Sequence, residues 1–336
     1  MPSPHPPVLV APDSFKGTLR AARVASCIGA GLERAGLTPP DLCPVADGGE
    51  GTLEVLLTAL GGETAGAPAT DPLGRPIAAA GFALIEDGGT AIVEVAEASG
   101  LQRVDEGERD AFAASSRGTG ELIVAAAAAG AAVVLVAAGG SATTDGGAGA
   151  INAIEEAGGL QGTALVVLAD VRTPFELAPA RFGPQKGADA KTIKLLERRL
   201  QQQGALLPKD PRGVPMTGAA GGLAGGLWAR YGAKLEPGAA FILKALDFDT
   251  RMRAARAVIV GEGRLDPTTL EGKIAGEIAT RARQAGVPCH AIVGTNAIDR
   301  FSARILDLQV IQEAGTPAAL ADAGERLGLM LDAHEA

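Results

Sequence analysis

Residues 139–147 carry the densest group of chemically useful side chains in the chain. The segment reads Gly139-Gly140-Ser141-Ala142-Thr143-Thr144-Asp145-Gly146-Gly147. It follows an apolar run, residues 133–138, that predicts a buried strand, and it precedes residues 148–157, which predict a helix. Such a turn presents unpaired backbone N–H groups and the positive end of a helix dipole, and glycines let a ligand approach the backbone. We therefore predict a phosphate site built from Gly139, Gly140, Ser141, Thr143, Asp145 and Gly146.

This segment matches neither of the common nucleotide-binding fingerprints. It has no lysine at the Walker spacing, and its glycines are not spaced as in dinucleotide-binding folds. The alternative to a phosphate site is a surface loop made flexible by glycine. The convergence of hydroxyl and carboxylate groups favours the phosphate site.

Four other turns also follow predicted strands and combine a carboxylate with a glycine. Open α/β sheets bind their ligands at the carboxyl ends of strands, so these turns are candidates for the same site. Their carboxylates can accept a proton or bind Mg²⁺, and the alternative for each is a helix cap or a turn residue. The candidate carboxylates, with the one in residues 139–147, are Asp13, Asp47, Asp145, Asp170 and Asp266.

Basic residues lie in the same turns. Lys16, Lys186 and Lys273 each adjoin a glycine. A lysine there can neutralise a phosphoryl group during transfer, and the alternative is a solvated surface lysine. Arg264 can hold a carboxylate through two hydrogen bonds, or it can pair with the nearby Glu262 or Asp266.

Strands and helices alternate along most of the chain. Apolar runs predict strands at residues 8–11, 42–46, 91–95, 133–138, 165–169, 257–260, 290–293 and 308–311. Helices are predicted between them, including residues 52–60 and a helix from Asp189 to residue 203. Residues 63–89, rich in Gly, Pro and Thr, are predicted as loops or short strands. This alternation predicts an α/β fold with parallel sheets. Because the two ends resemble each other, we predict a discontinuous domain, residues 1–72 plus 250–336, with an inserted α/β domain, residues 73–249.

Composition and charge exclude several classes of protein. The 336 residues carry a net charge of −9, which argues against a nucleic-acid partner. The three cysteines are far apart, and the first seven residues do not resemble a signal peptide, so we expect a cytoplasmic protein. Residues 122–138 are apolar but interrupted by Gly130, which predicts a helix and a strand instead of a membrane span. The three histidines have no metal-binding spacing, and His290 is predicted to be a partly buried structural imidazole.

Seven ordered motifs resemble those of type I glycerate kinases. The resemblance spans residues 8–294, nearly the whole chain. The motifs are Ala11-Pro12-Asp13-Ser14-Phe15-Lys16-Gly17-Thr18-Leu19, Val45-Ala46-Asp47-Gly48-Gly49-Glu50-Gly51-Thr52, Gly118-Thr119-Gly120-Glu121-Leu122-Ile123, and residues 139–147, 182–188, 218–222 and 261–266. This chain departs from the family pattern at Thr144 and Thr173, where the family usually has Asn, and near Thr268 and Ala275.

The resemblance implies two α/β domains, one of them flavodoxin-like, and ATP-dependent phosphorylation of D-glycerate with Mg²⁺, usually giving 2-phosphoglycerate. On that basis the predicted catalytic residues are Asp47, Asp170, Asp266, Lys16 and Arg264. Lys186 and Lys273 are assigned to ATP, Asp13, Ser14 and Arg264 to the substrate, and Asp145 and Asp170 to Mg²⁺. A homodimer is compatible with this assignment.

Three alternatives remain open from the sequence. The product can be 3-phosphoglycerate, or the acceptor can be another small hydroxy acid. The third alternative is a regulatory α/β protein that binds a ligand and catalyses nothing.

Overall fold

The structure is a computed structural model that describes residues 5–15 and 17–333, without the side chain of Glu271. Lys16, predicted to be catalytic, lies outside the described residues, so its role stays a prediction.

The strands form where short apolar, β-branched runs are buried in a sheet. In chain order they are β1 (Val8–Pro12), β2 (Asp41–Leu42), β3 (Glu63–Thr70), β4 (Pro76–Ile85), β5 (Thr90–Glu94), β6 (Val133–Ala137), β7 (Ala164–Leu168), β8 (Lys234–Glu236), β9 (Ala257–Gly261), β10 (Arg264–Leu265), β11 (Cys289–Val293), β12 (Thr295–Asn296) and β13 (Leu308–Glu313).

The helices form where apolar residues recur at helical spacing between turn residues. They are α1 (Ala21–Arg34), α2 (Thr52–Leu60), α3 (Val95–Ser99), α4 (Arg117–Ala128), α5 (Ala148–Glu156), α6 (Ala178–Phe182), α7 (Ala190–Leu206), α8 (Leu223–Tyr231), α9 (Gly238–Ala245), α10 (Phe248–Ala254), α11 (Ile274–Ala285), α12 (Arg300–Ile305) and α13 (Pro317–Ala333). Short 3₁₀ turns join several of them. No described helix is both long and apolar enough to cross a bilayer.

The chain divides into two compact units, residues 1–47 with 239–336 and residues 48–238. These limits differ from the predicted ones, 72 and 249. Residues 63–85, expected to be loops or short strands, form the antiparallel pair β3 and β4, whose register runs from Glu63 opposite Leu84 to Thr70 opposite Pro76. Helix α2 packs on β4 and β5, so the whole segment belongs to the second unit. That each unit is a folding domain stays a prediction.

The first unit is built on a parallel sheet with the order β13-β11-β9-β1-β2. When the five strands of this sheet are numbered 1 to 5 in chain order, their order across the sheet is 2-1-3-4-5. This is the flavodoxin-like order that the resemblance implied. Strand β2 is shorter than predicted. Cys43 and Val45 still donate to Val10 and Pro12, but Pro44 between them has no N–H and ends the regular ladder.

The second unit has a six-stranded sheet with the order β3-β4-β5-β6-β7-β8. Strands β3 to β5 are antiparallel neighbours, and β5 to β8 run parallel. The carboxyl ends of β5, β6 and β7 therefore share one edge. Helix α4 leads into β6 and α5 follows it, so both helices begin at this edge. Buried Val and Ala side chains of the sheet pack against Leu122 and Ile123 of α4.

Candidate active site

Residues 139–147 form the predicted turn between β6 and α5. Gly146 and Gly147 have φ values of 64° and 80°, a conformation that side chains rarely adopt, and α5 begins at the next residue. Ser141 Oγ accepts from the N–H of Thr143 at 3.1 Å. The start of the turn is pinned to the end of α3, since Ala142 N–H donates to the carbonyl of Ser99 at 2.9 Å. We call residues 139–147 the β6–α5 loop.

The β6–α5 loop meets a second glycine-rich turn, residues 48–51, which precedes α2. A Cβ at Gly139 would overlap the Cα of Gly49. The two backbones can approach this closely only because residue 139 is glycine. Two of the predicted turns are therefore in direct contact at the carboxyl edge of the second unit.

Asp145 ties the first turns of α4 and α5 together. Its carboxylate accepts from the N–H of Ser116 at 2.8 Å and from the Ser116 hydroxyl at 2.9 Å. It also accepts from the N–H groups of Gly147 and Gly149, each at 3.1 Å. Ser116 Oγ in turn accepts from Ala150 N–H at 3.0 Å. Asp145, 7% exposed, is thus surrounded by four donors. No sequence pattern had pointed to Ser116.

Two cations contact the carbonyls of the β6–α5 loop. Lys186 Nζ donates to the carbonyl of Thr143 at 2.6 Å and lies 3.4 Å from Ser141 Oγ. Its side chain is buried, and this burial lowers the pKa of Lys186 to about 7, against the opposing charge of Asp145. Arg199, on α7, donates to the carbonyl of Thr144 at 2.6 Å.

Arg199 is also fixed by Phe112. It donates to the Phe112 carbonyl at 2.8 Å, and its guanidinium lies 4.7 Å from the centre of the Phe112 ring. Sequence reasoning missed Arg199, because its position on a regular charged helix resembles that of a surface residue.

Two further carboxylates lie at the same edge. Asp170, half-buried, follows β7 by two residues. Glu94 is the last residue of β5, is 5% exposed, and accepts from Leu53 N–H in the first turn of α2 at 2.7 Å. Burial raises the pKa of Glu94 to about 7. Sequence reasoning missed Glu94, because it lies inside the predicted strand, residues 91–95, and not in a turn that follows it.

The first unit gathers its own predicted residues after β1 and β9, which are neighbours. Asp13 is buried, and its N–H donates to the Gly261 carbonyl at 2.8 Å. Ser14 N–H donates to Asp13 Oδ1 at 2.6 Å. Asp47 follows β2, the next strand in this sheet. The predicted turns at Asp13, Asp47 and residues 261–266 therefore lie at one edge.

Asp266 caps the 3₁₀ turn Pro267–Glu271, because its carboxylate accepts from Thr268 N–H at 3.0 Å. Lys273 Nζ lies 3.4 Å from Glu262 Oε2 and 3.5 Å from Asp266 Oδ1. Burial alone would raise the pKa of Asp266, but the Thr268 hydrogen bonds and the Lys273 charge together hold it below its usual value.

Arg264 forms an ion pair with Asp266, which was the alternative to a substrate contact. Its Nε lies 3.4 Å from Asp266 Oδ2. The Arg264 side chain remains 67% exposed, so its guanidinium still faces solvent. The predicted contact with a substrate carboxylate stays a prediction.

Within the described part of the chain, no three His, Cys, Asp or Glu side chains are grouped so that they could hold a metal ion.

Comparison with known proteins gives one consistent result. The sequence profile of the glycerate kinase family matches residues 8–157 and 155–326. Glycerate kinase of Bacillus subtilis is 37% identical over 329 residues, covering 87% of this chain and 86% of that protein. Glycerate 2-kinase of Escherichia coli is 36% identical over 327 residues, covering 86% and 85%. A crystal structure titled "putative glycerate kinase 2" from Salmonella typhimurium LT2 has a TM-score of 0.81 and 30% identity, covering 98% of this chain and 99% of that one.

Proposed function

The chain belongs to the glycerate kinase family, and on this premise we propose that it transfers the γ-phosphoryl group of ATP to D-glycerate, giving ADP and 2-phospho-D-glycerate. The observation that carries the proposal is the β6–α5 loop, a glycine-rich turn at the amino end of α5 with two cations against its backbone. Such a turn suits the phosphates of a nucleotide. The choice of the 2-position follows the relative from Escherichia coli, which is named a 2-kinase.

Asp170 is our choice for the base. It follows β7, the strand next to β6, so it lies at the same sheet edge as the β6–α5 loop. In the proposed reaction the glycerate hydroxyl oxygen forms a bond to the γ-phosphorus, the bond to the β-phosphate oxygen breaks, and the hydroxyl proton passes to Asp170. A base of this kind contributes a factor of roughly 10² to 10⁴ in rate.

Mg²⁺ fits Asp170 better than Asp145. The carboxylate of Asp145 already accepts from four donors and would have to surrender them to bind an ion. We therefore propose Asp170 as the protein ligand, with the ATP phosphates completing the site. The ion would neutralise charge on the phosphates.

The remaining assignments are proposals to be tested residue by residue. They concern Asp47, Asp266 and Arg264 as catalytic groups, Asp13 and Ser14 as substrate contacts, and Lys273 as a contact to ATP. We also propose a cytoplasmic enzyme and a homodimer.

The decisive experiment is ³¹P NMR of a reaction containing the protein, MgATP and D-glycerate. We expect resonances of ADP and 2-phosphoglycerate. A 3-phosphoglycerate resonance would correct the position of transfer, and ADP formation with only another hydroxy acid would correct the substrate. Nucleotide binding without ADP formation from any acceptor would favour the regulatory alternative.

The role of Asp170 is tested by Asp170→Asn, with kcat and the KM for D-glycerate measured separately. We expect kcat to fall about 100-fold or more, because the amide can neither accept the proton nor offer Mg²⁺ a carboxylate. Asp87→Asn is the matched control, since Asp87 is exposed in the same unit and has a φ of 54°, which Asn tolerates. Wild-type kcat in Asp170→Asn would refute the assignment.

A further inference from the structure

Two consecutive peptide groups of the β6–α5 loop each accept a hydrogen bond from a cation, the buried Lys186 and the half-buried Arg199. The carbonyl of Thr143 accepts from Lys186, and the carbonyl of Thr144 accepts from Arg199, each at 2.6 Å. Hydrogen bonds from charged donors are shorter and stronger than neutral ones, so they fix the plane of each peptide.

The N–H group of each of these two peptides points away from the carbonyl that its cation contacts. The bonds are trans, so the N–H of Thr144 points away from Lys186 and the N–H of Asp145 points away from the Thr144 carbonyl. Among the described residues, neither N–H has a hydrogen-bond acceptor. By contrast, the N–H groups of Gly146 and Gly147 donate to Gly221 and to the Asp145 carboxylate.

The hydroxyl of Thr144 is unpaired as well. Thr144 is 0% exposed, and its Oγ1 has no partner within the described chain. Buried polar groups in native proteins are nearly always paired, because an unpaired one loses its hydration without compensation. Three unpaired donors on consecutive residues, in a glycine-rich turn backed by two cations, are what an anion would satisfy.

We propose that the N–H groups of Thr144 and Asp145 and the hydroxyl of Thr144 bind a phosphate group of the nucleotide, and that Lys186 and Arg199 are positioning residues. The two cations act through the peptide groups and do not touch the phosphate, in contrast to the direct contact predicted for Lys186. The inference rests on the proposed function for the identity of the anion.

The test measures the dissociation constant of MgATP by calorimetry, together with the KM values for ATP and D-glycerate. Thr144→Val removes the hydroxyl, and Arg199→Gln removes the donor to the Thr144 carbonyl. We expect each to weaken MgATP binding about tenfold or more and to leave the KM for D-glycerate within about twofold. Thr144→Ser should bind like the wild type because it keeps the hydroxyl.

Arg198→Gln is the matched control for Arg199→Gln. Arg198 is the preceding residue on α7, is exposed, and loses the same charge. We expect its MgATP affinity to match that of the wild type. If Arg199→Gln does not fold, Arg199→Lys replaces it. This variant keeps the charge but loses the forked geometry that reaches the carbonyls of both Thr144 and Phe112. Its MgATP affinity should fall several-fold.

The contact itself is read from amide resonances. On addition of MgATP, the ¹H and ¹⁵N shifts of Thr144 and Asp145 should move in the wild type. Unmoved amide shifts, or wild-type affinity in both Thr144→Val and Arg199→Gln, would overturn the inference while leaving the kinase activity intact. Conversely, the expected binding pattern in a protein that forms no phosphoglycerate would reject the proposed function alone.

Discussion

The Lys186→Met variant tests whether burial of the Lys186 ammonium beside the β6–α5 loop lowers the free energy of unfolding. The side chain is 3% exposed, and its hydrogen bonds go to a carbonyl and a hydroxyl. Burial lowers the pKa from 10.5 to about 7. This difference means that the ammonium destabilises the folded state by about 5 kcal/mol relative to the neutral amine.

The sign of the pH dependence follows from proton binding. Between pH 7 and 10.5 the unfolded chain keeps the Lys186 proton and the folded chain releases it, so the wild type becomes more stable as pH rises. Between pH 6 and pH 9 the gain is about 3 kcal/mol in the free energy of unfolding, and Lys186→Met lacks it.

The variant also loses a hydrogen bond. Removing the Lys186 donor from the Thr143 carbonyl destabilises Lys186→Met by about 1–3 kcal/mol at every pH. Combining the two effects, we expect Lys186→Met to be about 3 kcal/mol more stable than the wild type at pH 6 and about equal to it at pH 9.

The assay is urea unfolding followed by tryptophan fluorescence. Trp228, the single tryptophan of the chain, lies on α8 in the same unit as Lys186 and reports the unfolding of that unit. Lys194→Met, at an exposed position of α7, is the control and should show the wild-type pH dependence. A constant difference between wild type and Lys186→Met from pH 6 to pH 9 would refute the reasoning.

Three further predictions also concern the free energy of unfolding. Burial lowers the pKa of His290 to about 4, so the free energy of unfolding of the wild type should fall by about 3 kcal/mol as pH falls from 6.5 to 4. His290→Phe should not show this loss. Equal losses in the two proteins, measured by unfolding followed by circular dichroism, would contradict the prediction. Burial raises the pKa of Glu94 to about 7, so the wild type should lose stability as pH rises from 4.5 to 7. The free energy of unfolding of Glu94→Gln should therefore rise by about 3 kcal/mol relative to that of the wild type over this range. A difference between the two proteins that does not change with pH would reject this prediction. Gly139→Ala should destabilise the second unit because its Cβ overlaps Gly49, whereas Gly66→Ala, whose Cβ has ordinary contacts, should not; similar unfolding midpoints would rule out the overlap.

The sequence predicted most of the parallel architecture. Strand β6 and helix α5 end close to their predicted limits, and Asp189 caps α7 by accepting from Thr192 N–H. These elements were readable because apolar spacing and caps are local signals. Strands β3 and β4 were predicted only as loops or short strands, since their Gly, Pro and Ala content resembles that of a loop. Pairing with β5 decides their structure, and pairing is not local.

The predicted site residues divide in the same way. The motif containing Asp145 identified the loop, but the four donors around its carboxylate come from residues distant in sequence as well as from neighbours. Arg199 could not be found from the sequence, because its role depends on where α7 packs.

The sequence by itself determined the glycine-rich turns, their place after strands, and the family to which their order belongs. It could do so because glycine, hydroxyl and carboxylate residues act on the backbone within a few positions. Only the tertiary structure decided which carboxylate is saturated, which cations contact the β6–α5 loop, and which donors at Thr144 stay unpaired. Those outcomes depend on burial and on contacts between distant segments, which bring Lys186 and Arg199 to two adjacent carbonyls.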